Sequence, residues 1–418
     1  MIETLINAWK VPELRKKLIF TMLMFAVFRL GSHIPVPGID RDILGGLFSN
    51  DLFNWMDIIS GGSFKQVTVF AMGIIPYINA SIIIQLLTMV VPYFEKLAKE
   101  GNEGRKKMTQ YTRYGAVGLG LMQALVMSFY LQSAMANKNI ASVLVCAITL
   151  TAGTAFLMWL GELITEHGIG NGISLIIFAG IASRLPSGVT TVVSYVTAGN
   201  VNVVTALFVL VIIVLMVTGV VAVQEGQRRI PVQYAKRVVG RKVYGGQSTH
   251  IPMKINQAGV IPIIFAMAIL SFPNILASLL QDGSSVAAWI SRVFGFQHPV
   301  YIISYSLLIF LFTYFYTAAT FNTSDVADNM RKNGGFIPGL RPGRPTAEYL
   351  DKVLSRLTFS GATFLTIIAL MPSIFQAVSG MNLYFGGTSL LIAVGVALDT
   401  MKQIESHLLM RHYQGFMK

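Results

Sequence analysis

Ten stretches of this chain stay almost free of charge over long distances, at approximately residues 16–33, 67–92, 114–135, 140–163, 173–191, 203–224, 259–280, 300–321, 356–377 and 386–403. Crossing roughly 30 Å of hydrocarbon at 1.5 Å per residue takes about 20 mostly apolar residues. Each stretch approaches that length, so the pattern predicts ten membrane-spanning helices. The first follows Arg15, Lys16 and Lys17 and has no small-residue cleavage site behind it, so it reads as a retained helix and not a signal peptide.

Composition agrees with lipid as the main solvent. Of 418 residues only 12% are charged and 54% are hydrophobic, and the mean hydropathy is +0.62. Soluble domains carry roughly a quarter charged residues. Disorder, collagen and coiled coil are excluded by the same numbers. The lone cysteine, Cys146, lies in the apolar run VLVCAI. It excludes disulfides and cysteine metal sites within the chain and reads as a small buried apolar residue.

The basic residues alternate in density along the chain. The amino terminus carries four Lys and Arg, the loops after the second, sixth and eighth stretches carry six, seven and six, and the tail from Lys402 carries three. The opposite side carries five, and Arg29 falls within the first stretch. Basic residues are retained on the cytoplasmic side, so both termini are expected there. For the loop after the second stretch, topology or attraction to anionic lipid weighs no more than a docking role.

Two other loops go further. Residues 225–258 hold Arg228, Arg229, Lys236, Arg237, Arg241, Lys242 and Lys254 against one acid, Glu225. Interleaved with Val232, Tyr234, Val238, Val239, Val243 and Tyr244, they alternate as a projecting hairpin would. The loop 322–356 contains GGFIPGLRPG, a Gly/Pro-punctuated turn that presents Arg341. Two stiff basic projections suggest docking to a large anionic partner, ribosomal RNA or an acidic protein.

Inside the spans no Asp, Glu, Lys or His lies at mid-depth; Arg29, Glu162 and Asp399 sit near span ends, where long side chains snorkel. A proton-coupled transporter normally needs a buried carboxylate or histidine relay. Nor does the chain carry His-Glu-x-x-His, a P-loop, Gly-x-Ser-x-Gly or a dinucleotide fingerprint, and its six histidines lack ligand spacing. No enzyme, metal site or cofactor is expected. GIGNGI at 168–173 opens a membrane helix and reads as a hinge or tight turn.

Isoleucines recur at helical spacing in the broken segments. Ile74 and Ile78 project from one face, with Pro76 expected to interrupt the backbone ladder and Asn79, Ser81 and Gln85 adding polar groups. Ile173 and Ile177 repeat the spacing, and Ile261 and Ile264 flank Pro262. Each could face lipid or pack. A hydrophobic constriction that gates by dewetting is the sharper alternative, and pattern alone leaves both open. Between the first two spans, Leu52, Phe53, Trp55, Met56, Ile58 and Ile59 are too few to cross a membrane, and Ser60, Gly61, Gly62 and Ser63 are expected to end them flexibly. This reads as a re-entrant segment, equally an interfacial helix or a stopper.

Eight ordered blocks carry a close resemblance: PYINASIIIQLL (76–87), GNEGRKKMTQYTRY (101–114), FLMWLGELITEHGIGNGIS (156–174), GQRRI (226–230), YGGQSTHIP (244–252), NQAGVIP (256–262), ADNMRKNGGFIPGLRPG (327–343) and YFGGTSLLI (384–392). Over nearly its whole length the chain resembles the SecY family, the channel subunit of the bacterial protein translocon. That resemblance implies an all-α membrane protein of ten transmembrane helices, in two inverted, pseudo-symmetric halves (1–200 and 201–418) around an hourglass pore. It implies a pore ring of Ile74, Ile78, Ile173, Ile177, Ile264 and Ile392. It further implies a plug over about 52–66, including Leu52, Phe53, Trp55, Met56, Ile58, Ile59, Gly61 and Gly62, and a lateral gate lined by Asn79, Ser81, Gln85 and Phe272. Docking is expected at Arg228, Arg241, Lys242 and Arg341. The implied partners are SecE, SecG, the SecA motor ATPase, the ribosome, signal peptides, unfolded preproteins and lipid, in the cytoplasmic membrane of a bacterium. The alternative, a secondary transporter for a small solute, shares broken helices and repeats but is disfavoured by the missing midplane charge. An intramembrane hydrolase lacks a nucleophile and base.

Overall fold

The structure, a computed structural model, describes residues 2–40, 57, 60–135, 137–199, 202–234, 237–239, 242–244, 248–279, 285–295, 298–379 and 387–415. Its helices are α1 (Ile2–Lys10), α2 (Pro12–Gly31), α3 (Ile75–Val90), α4 (Pro92–Lys99), α5 (Asn102–Tyr130), α6 (Ile140–His167) and α7 (Gly172–Thr197), followed by α8 (Val203–Glu225), α9 (Ile261–Leu279), α10 (Ser285–Val293), α11 (Pro299–Thr320), α12 (Thr323–Lys332), α13 (Arg344–Ser379) and α14 (Gly387–Gly415). Five short strands follow α8 or α12: β1 (Gln227–Tyr234), β2 (Arg237–Val239), β3 (Lys242–Tyr244), β4 (Ser248–Lys254) and β5 (Gly335–Phe336). A helix runs through every one of the ten apolar stretches.

The second stretch departs from expectation at its start. Residues 60–74 form successive turns, with Val67, Ala71 and Gly73 N–H groups donating to carbonyls three residues back at 2.9–3.0 Å. Val67 (φ 44°) and Gly73 (φ 56°) are in the left-handed region, which no helix passes through. The helix begins only at Ile75, so Pro76 falls in its first turn, where a missing N–H costs nothing. Pro76 is therefore a starter and not the mid-helix break read from the sequence, and Pro262 holds the same place in α9. Val91, extended ahead of Pro92, ends α3 and redirects the chain into α4.

The turn segment is packed, not loose. Phe64, Val67, Ala71 and Met72 are buried in one cluster with Ala124 and Met127 of the α5 end, Leu131 just after it, and Cys146, Ala147 and Leu150 of α6. Gly153 on α6 permits this, since a Cβ there would fall 1.9 Å from the Val69 carbonyl oxygen. A second core joins Met216 and Val220 of α8, Ile263 and Phe265 of α9, Tyr305 and Ile309 of α11, Leu365 of α13 and Leu391 of α14. The chain up to α7 and the chain from α8 meet where α14 packs on α7 and α1, α8 on α7, and α9 on α5.

The outer surface is apolar. The segment Leu207–Glu225 of α8 has a mean hydropathy of 2.9 in its most apolar window, of which only 17% is buried, and Leu207, Phe208, Leu210, Val214 and Leu215 are exposed. Such a helix is stable only in lipid. The molecule is a multi-pass membrane protein.

At one end the bundle carries a sheet of order β4-β1-β5. β1 and β4 pair antiparallel from Gln227↔Lys254 to Gln233↔Ser248, and the β2–β3 pair forms their tip. The hairpin predicted from alternation is thus present. Ile230, Val232 and Met253 point inward onto Met330 of α12 and Leu350, Val353 and Leu354 of α13. At 36 residues α13 is about 54 Å long, well beyond the roughly 30 Å hydrocarbon, and its protruding first turns support the sheet.

Candidate functional site

Four helix beginnings converge on one apolar cluster. Ile75 from α3, Ile177 and Ile181 from α7 and Ile392 from α14 are buried there, with Ile78, Ile173, Ala393, Val396 and Val260, the residue just ahead of α9, packed against them. Of the six expected ring residues, Ile78, Ile173, Ile177 and Ile392 share this collar. Ile74, 3% exposed, lies in the adjoining cluster with Phe28, Phe70, Leu157 and Ile176, which also touches Ile78 and Ile173. Ile264 is half-buried in the first turn of α9 and belongs to neither cluster; Val260 represents that helix instead. Val260, Ile75 and Ile181 stand outside the expected ring, and of the three only Ile181 carries a signal in the sequence, its helical spacing from Ile177.

The local sequence makes these beginnings. At α7 the Asn171 side chain accepts from the Ser174 N–H at 3.2 Å, and Gly170 (φ 89°) turns the chain ahead of it. Ile173 and Ile177 are therefore held in the first two turns. Against the collar, on the end that carries the sheet, lies a polar cavity of about 360 Å³ lined by Asn171, Ser174, Val396, Asp399, Thr400, Lys402 and Gln403. Lys402 also pairs with Glu225 at the end of α8, at 2.8 Å. A polar cavity thus abuts a cluster whose aliphatic side chains offer water and ions no hydrogen-bonding group.

On α3, Asn79, Ser81 and Gln85 are half-buried, and the Gln85 amide reaches the Ser81 hydroxyl at 3.5 Å. Ile82 between them packs on the core of α9, α11 and α13, which places this face of α3 at the seam with the second half. The Phe272 side chain lies outside the described residues. Further along the same seam, the Lys99 ammonium is held above its usual range by its 2.7 Å hydrogen bond to Glu95 and also by Asp325 of α12.

Of the expected plug, Leu52, Phe53, Trp55, Met56, Ile58 and Ile59 lie outside the described residues. Gly61 and Gly62 sit against Gly180, Ser183 and Arg184 of α7. They were expected to end the segment flexibly, yet Ser60 and Ser63 beside them are 2% and 0% exposed, and their positive φ values (68° and 94°) serve a tight approach.

Glu162, expected to snorkel, instead pairs with Arg113 of α5 at 2.7 Å and keeps 18% of its side-chain exposure. Among the residues expected to dock a partner, Arg228 is exposed on β1 and Arg341 on the β5–α13 turn, where its carbonyl accepts from the Thr346 hydroxyl at 2.9 Å. Lys242 pairs with Val239 through the backbone in the tip hairpin, and Arg241 lies outside the described residues. Among the described residues no cluster of His, Cys, Asp and Glu could hold a metal ion.

The SecY family model matches residues 68–401. The chain is 48% identical to the protein translocase subunit SecY of Halalkalibacterium halodurans over the full length of both. It is 45% identical to that of Thermotoga maritima, over 99% of this chain and 97% of the relative. Its fold resembles a solved protein-conducting channel at a TM-score of 0.67 and 17% identity, each chain covered to 96%. Canine Sec61 in its ribosome-bound complex gives a TM-score of 0.63 at 17% identity, again with 96% of each chain covered.

Proposed function

The chain belongs to the SecY family of protein translocase subunits, and from that premise we propose how its parts divide the work of a protein-conducting channel. It is a channel and not an enzyme. The collar of Ile75, Ile78, Ile173, Ile177, Ile181 and Ile392, with Val260 from the α9 side and Ile74 in the adjoining cluster, is the seal. An open polar pore would leak ions. A ring of aliphatic side chains stays dry when closed, and because dispersion contacts are non-directional it closes around any unfolded chain without reading its sequence. The single observation that carries this reading is the convergence of α3, α7, α9 and α14 on that collar beside the polar vestibule.

Stretch 52–66 is the plug, and the seam between α3 and α9, marked by Asn79, Ser81, Gln85 and Phe272, is the lateral gate. A leucine-rich signal helix gains several tenths of a kcal/mol per central apolar residue by leaving sideways into lipid, and by binding the open seam it shifts the channel toward open. The sheet, α12 and both termini face the cytoplasm of a bacterium, as the excess of basic residues there directs. Arg228, Arg241, Lys242 and Arg341 meet the SecA motor or ribosomal RNA, and SecE and SecG complete the membrane complex. Energy comes from the motor or from elongation, since this chain hydrolyses nothing.

The test is import. Vesicles holding this chain with SecE and SecG should protect a preprotein from added protease when SecA and ATP are supplied. Preprotein left fully digestible, with the complex correctly assembled, would contradict the reading.

A further inference from the structure

Between α9 and α11 the chain forms a short helix, α10, that neither the collar nor the sheet explains. α9 leads away from the sheet end after β4, and α11 returns to it, since α12 and β5 follow. α10 therefore lies at the opposite end of the bundle, between the ends of two membrane-crossing helices. Its nine residues reach about 14 Å, half of a hydrocarbon core of roughly 30 Å. It cannot cross, so it either stands in water or lies along the boundary of the bilayer.

The residues decide between the two. At 3.6 residues per turn, Val286, Trp289, Ile290 and Val293 fall on one stripe. Ile290 and Val293 are half-buried, α10 packs along α9, and Phe294 just after it packs on the second core. One edge of the stripe is thus seated on protein. The other is open: Val286 and Trp289 are 55% and 61% exposed, as Val300, Ile303 and Leu307 are on the neighbouring membrane helix α11. Laid along the boundary, that open edge leaves water, and tryptophan is enriched at that depth because its ring is apolar and its N–H polar. Charge points the same way. Arg292 is exposed on the flank of the stripe beside Trp289, and it is one of five Lys and Arg expected on this face, where topology disfavours them. Another of the five, Arg184, has an acidic partner inside the protein, Asp57.

We propose that α10 is a membrane-surface helix, bound to phospholipid of the leaflet opposite the sheet by Val286 and Trp289 at the acyl boundary and by Arg292 on headgroup phosphate. The inference goes beyond the translocation reading and does not depend on it. Because α10 packs on α9, the same contact holds the adjoining end of α9 at a fixed depth in the bilayer.

The experiment reads where Trp289 sits. In the complex with SecE and SecG, reconstituted into phospholipid vesicles, Trp289 is kept as the only tryptophan of the assembly, with Trp9, Trp55 and Trp159 of this chain and any in the other subunits replaced by Phe. Phospholipid brominated near the headgroup end of its acyl chain should quench the emission by about half, and bromine near the methyl end or acrylamide in the water clearly less. Arg292→Glu should shift quenching from bromine toward acrylamide, because phosphate repels a carboxylate; Arg292→Lys, which keeps the charge, should not. If the tryptophan-replaced complex accumulates poorly, a nitroxide on Val286→Cys in a Cys146→Ser chain gives the same reading: oxygen, which partitions into lipid, should relax it more than a nickel chelate in water does. Emission quenched by acrylamide and not by bromine, or a nitroxide relaxed more by the chelate, would place α10 in water and overturn the proposal. Emission quenched by neither would mean that protein, a partner subunit or a second copy, covers this face, and would overturn it equally. Parental quenching in Arg292→Glu would overturn the phosphate contact.

Discussion

The Arg113 guanidinium donates to the Glu162 carboxylate at 2.7 Å, joining α5 to α6 across 49 residues of sequence. Arg113 keeps 43% of its side-chain exposure and Glu162 only 18%, so removing the cation strands a mostly buried anion. Arg113→Ala should cost about 1–2 kcal/mol, a buried-pair loss discounted for partial exposure. Replacing both residues by Met should recover most of that. Thermal unfolding in detergent checks it: a double variant less stable than Arg113→Ala would contradict this account of the pair.

Gly153 lets α6 close on the turn segment, since an added Cβ meets the Val69 carbonyl at 1.9 Å, whereas at Gly118 on α5 nothing lies within 4 Å. Gly153→Val should therefore cost more than the typical ~1–3 kcal/mol of overpacking, because rigid backbone cannot move aside. Gly118→Ala should be neutral or slightly stabilising, as expected for an exposed helix position. The yields of monodisperse protein in detergent should separate the two sharply; equal yields would argue that α6 and residue 69 do not meet.

Arg341→Glu tests docking against mere topology. With 26 basic residues expected on the cytoplasmic face against five opposite, one reversal leaves orientation intact. A desolvated contact with the motor or ribosomal RNA would lose a few kcal/mol and an exposed rim charge well under one. SecA-driven import should fall at least tenfold while protein level stays normal, and ribosome binding should weaken steeply with salt. Parental values in both assays would return Arg341 to a topological role.

Cysteines at Asn79 and Phe272 should form a disulfide under oxidant that blocks import until reduced, if α3 and α9 border the gate. The native Cys146 is buried and stays out of reach. No crosslink, in a protein that still imports, would mean that the seam does not run between these positions.

Much of this was legible in the chain. Uninterrupted apolar runs mark α6, α8 and α11, and alternation of Arg and Lys with Val and Tyr marks the hairpin of β1 and β4, because periodicity reports directly on surroundings. The start of α3 was not legible. Residues 67–74 are as apolar as 75–90, and what keeps the helix from starting earlier is the positive φ at Val67 and Gly73, the first of which no composition announces. The charged pairs escaped for another reason. Arg113 counts as a loop charge and Arg184 as one of five on the far side until the fold sets Glu162 and Asp57 beside them. The collar was legible only in part: isoleucine spacing found Ile78, Ile173 and Ile177, while Val260 enters from outside any helix.

The central claim is that the collar is the seal, and electrical conductance of the resting complex in planar bilayers tests it most directly. Ile78 and Ile177 sit on α3 and α7 in the same cluster, so Ile78→Asn with Ile177→Asn places two hydrogen-bonding groups where the parent has none and should wet the constriction. The account predicts a quiet parent channel and a steady ion current in the double variant at equal protein density, with thermal stability close to the parent. A double variant as silent as the parent, while importing preprotein normally, would contradict it.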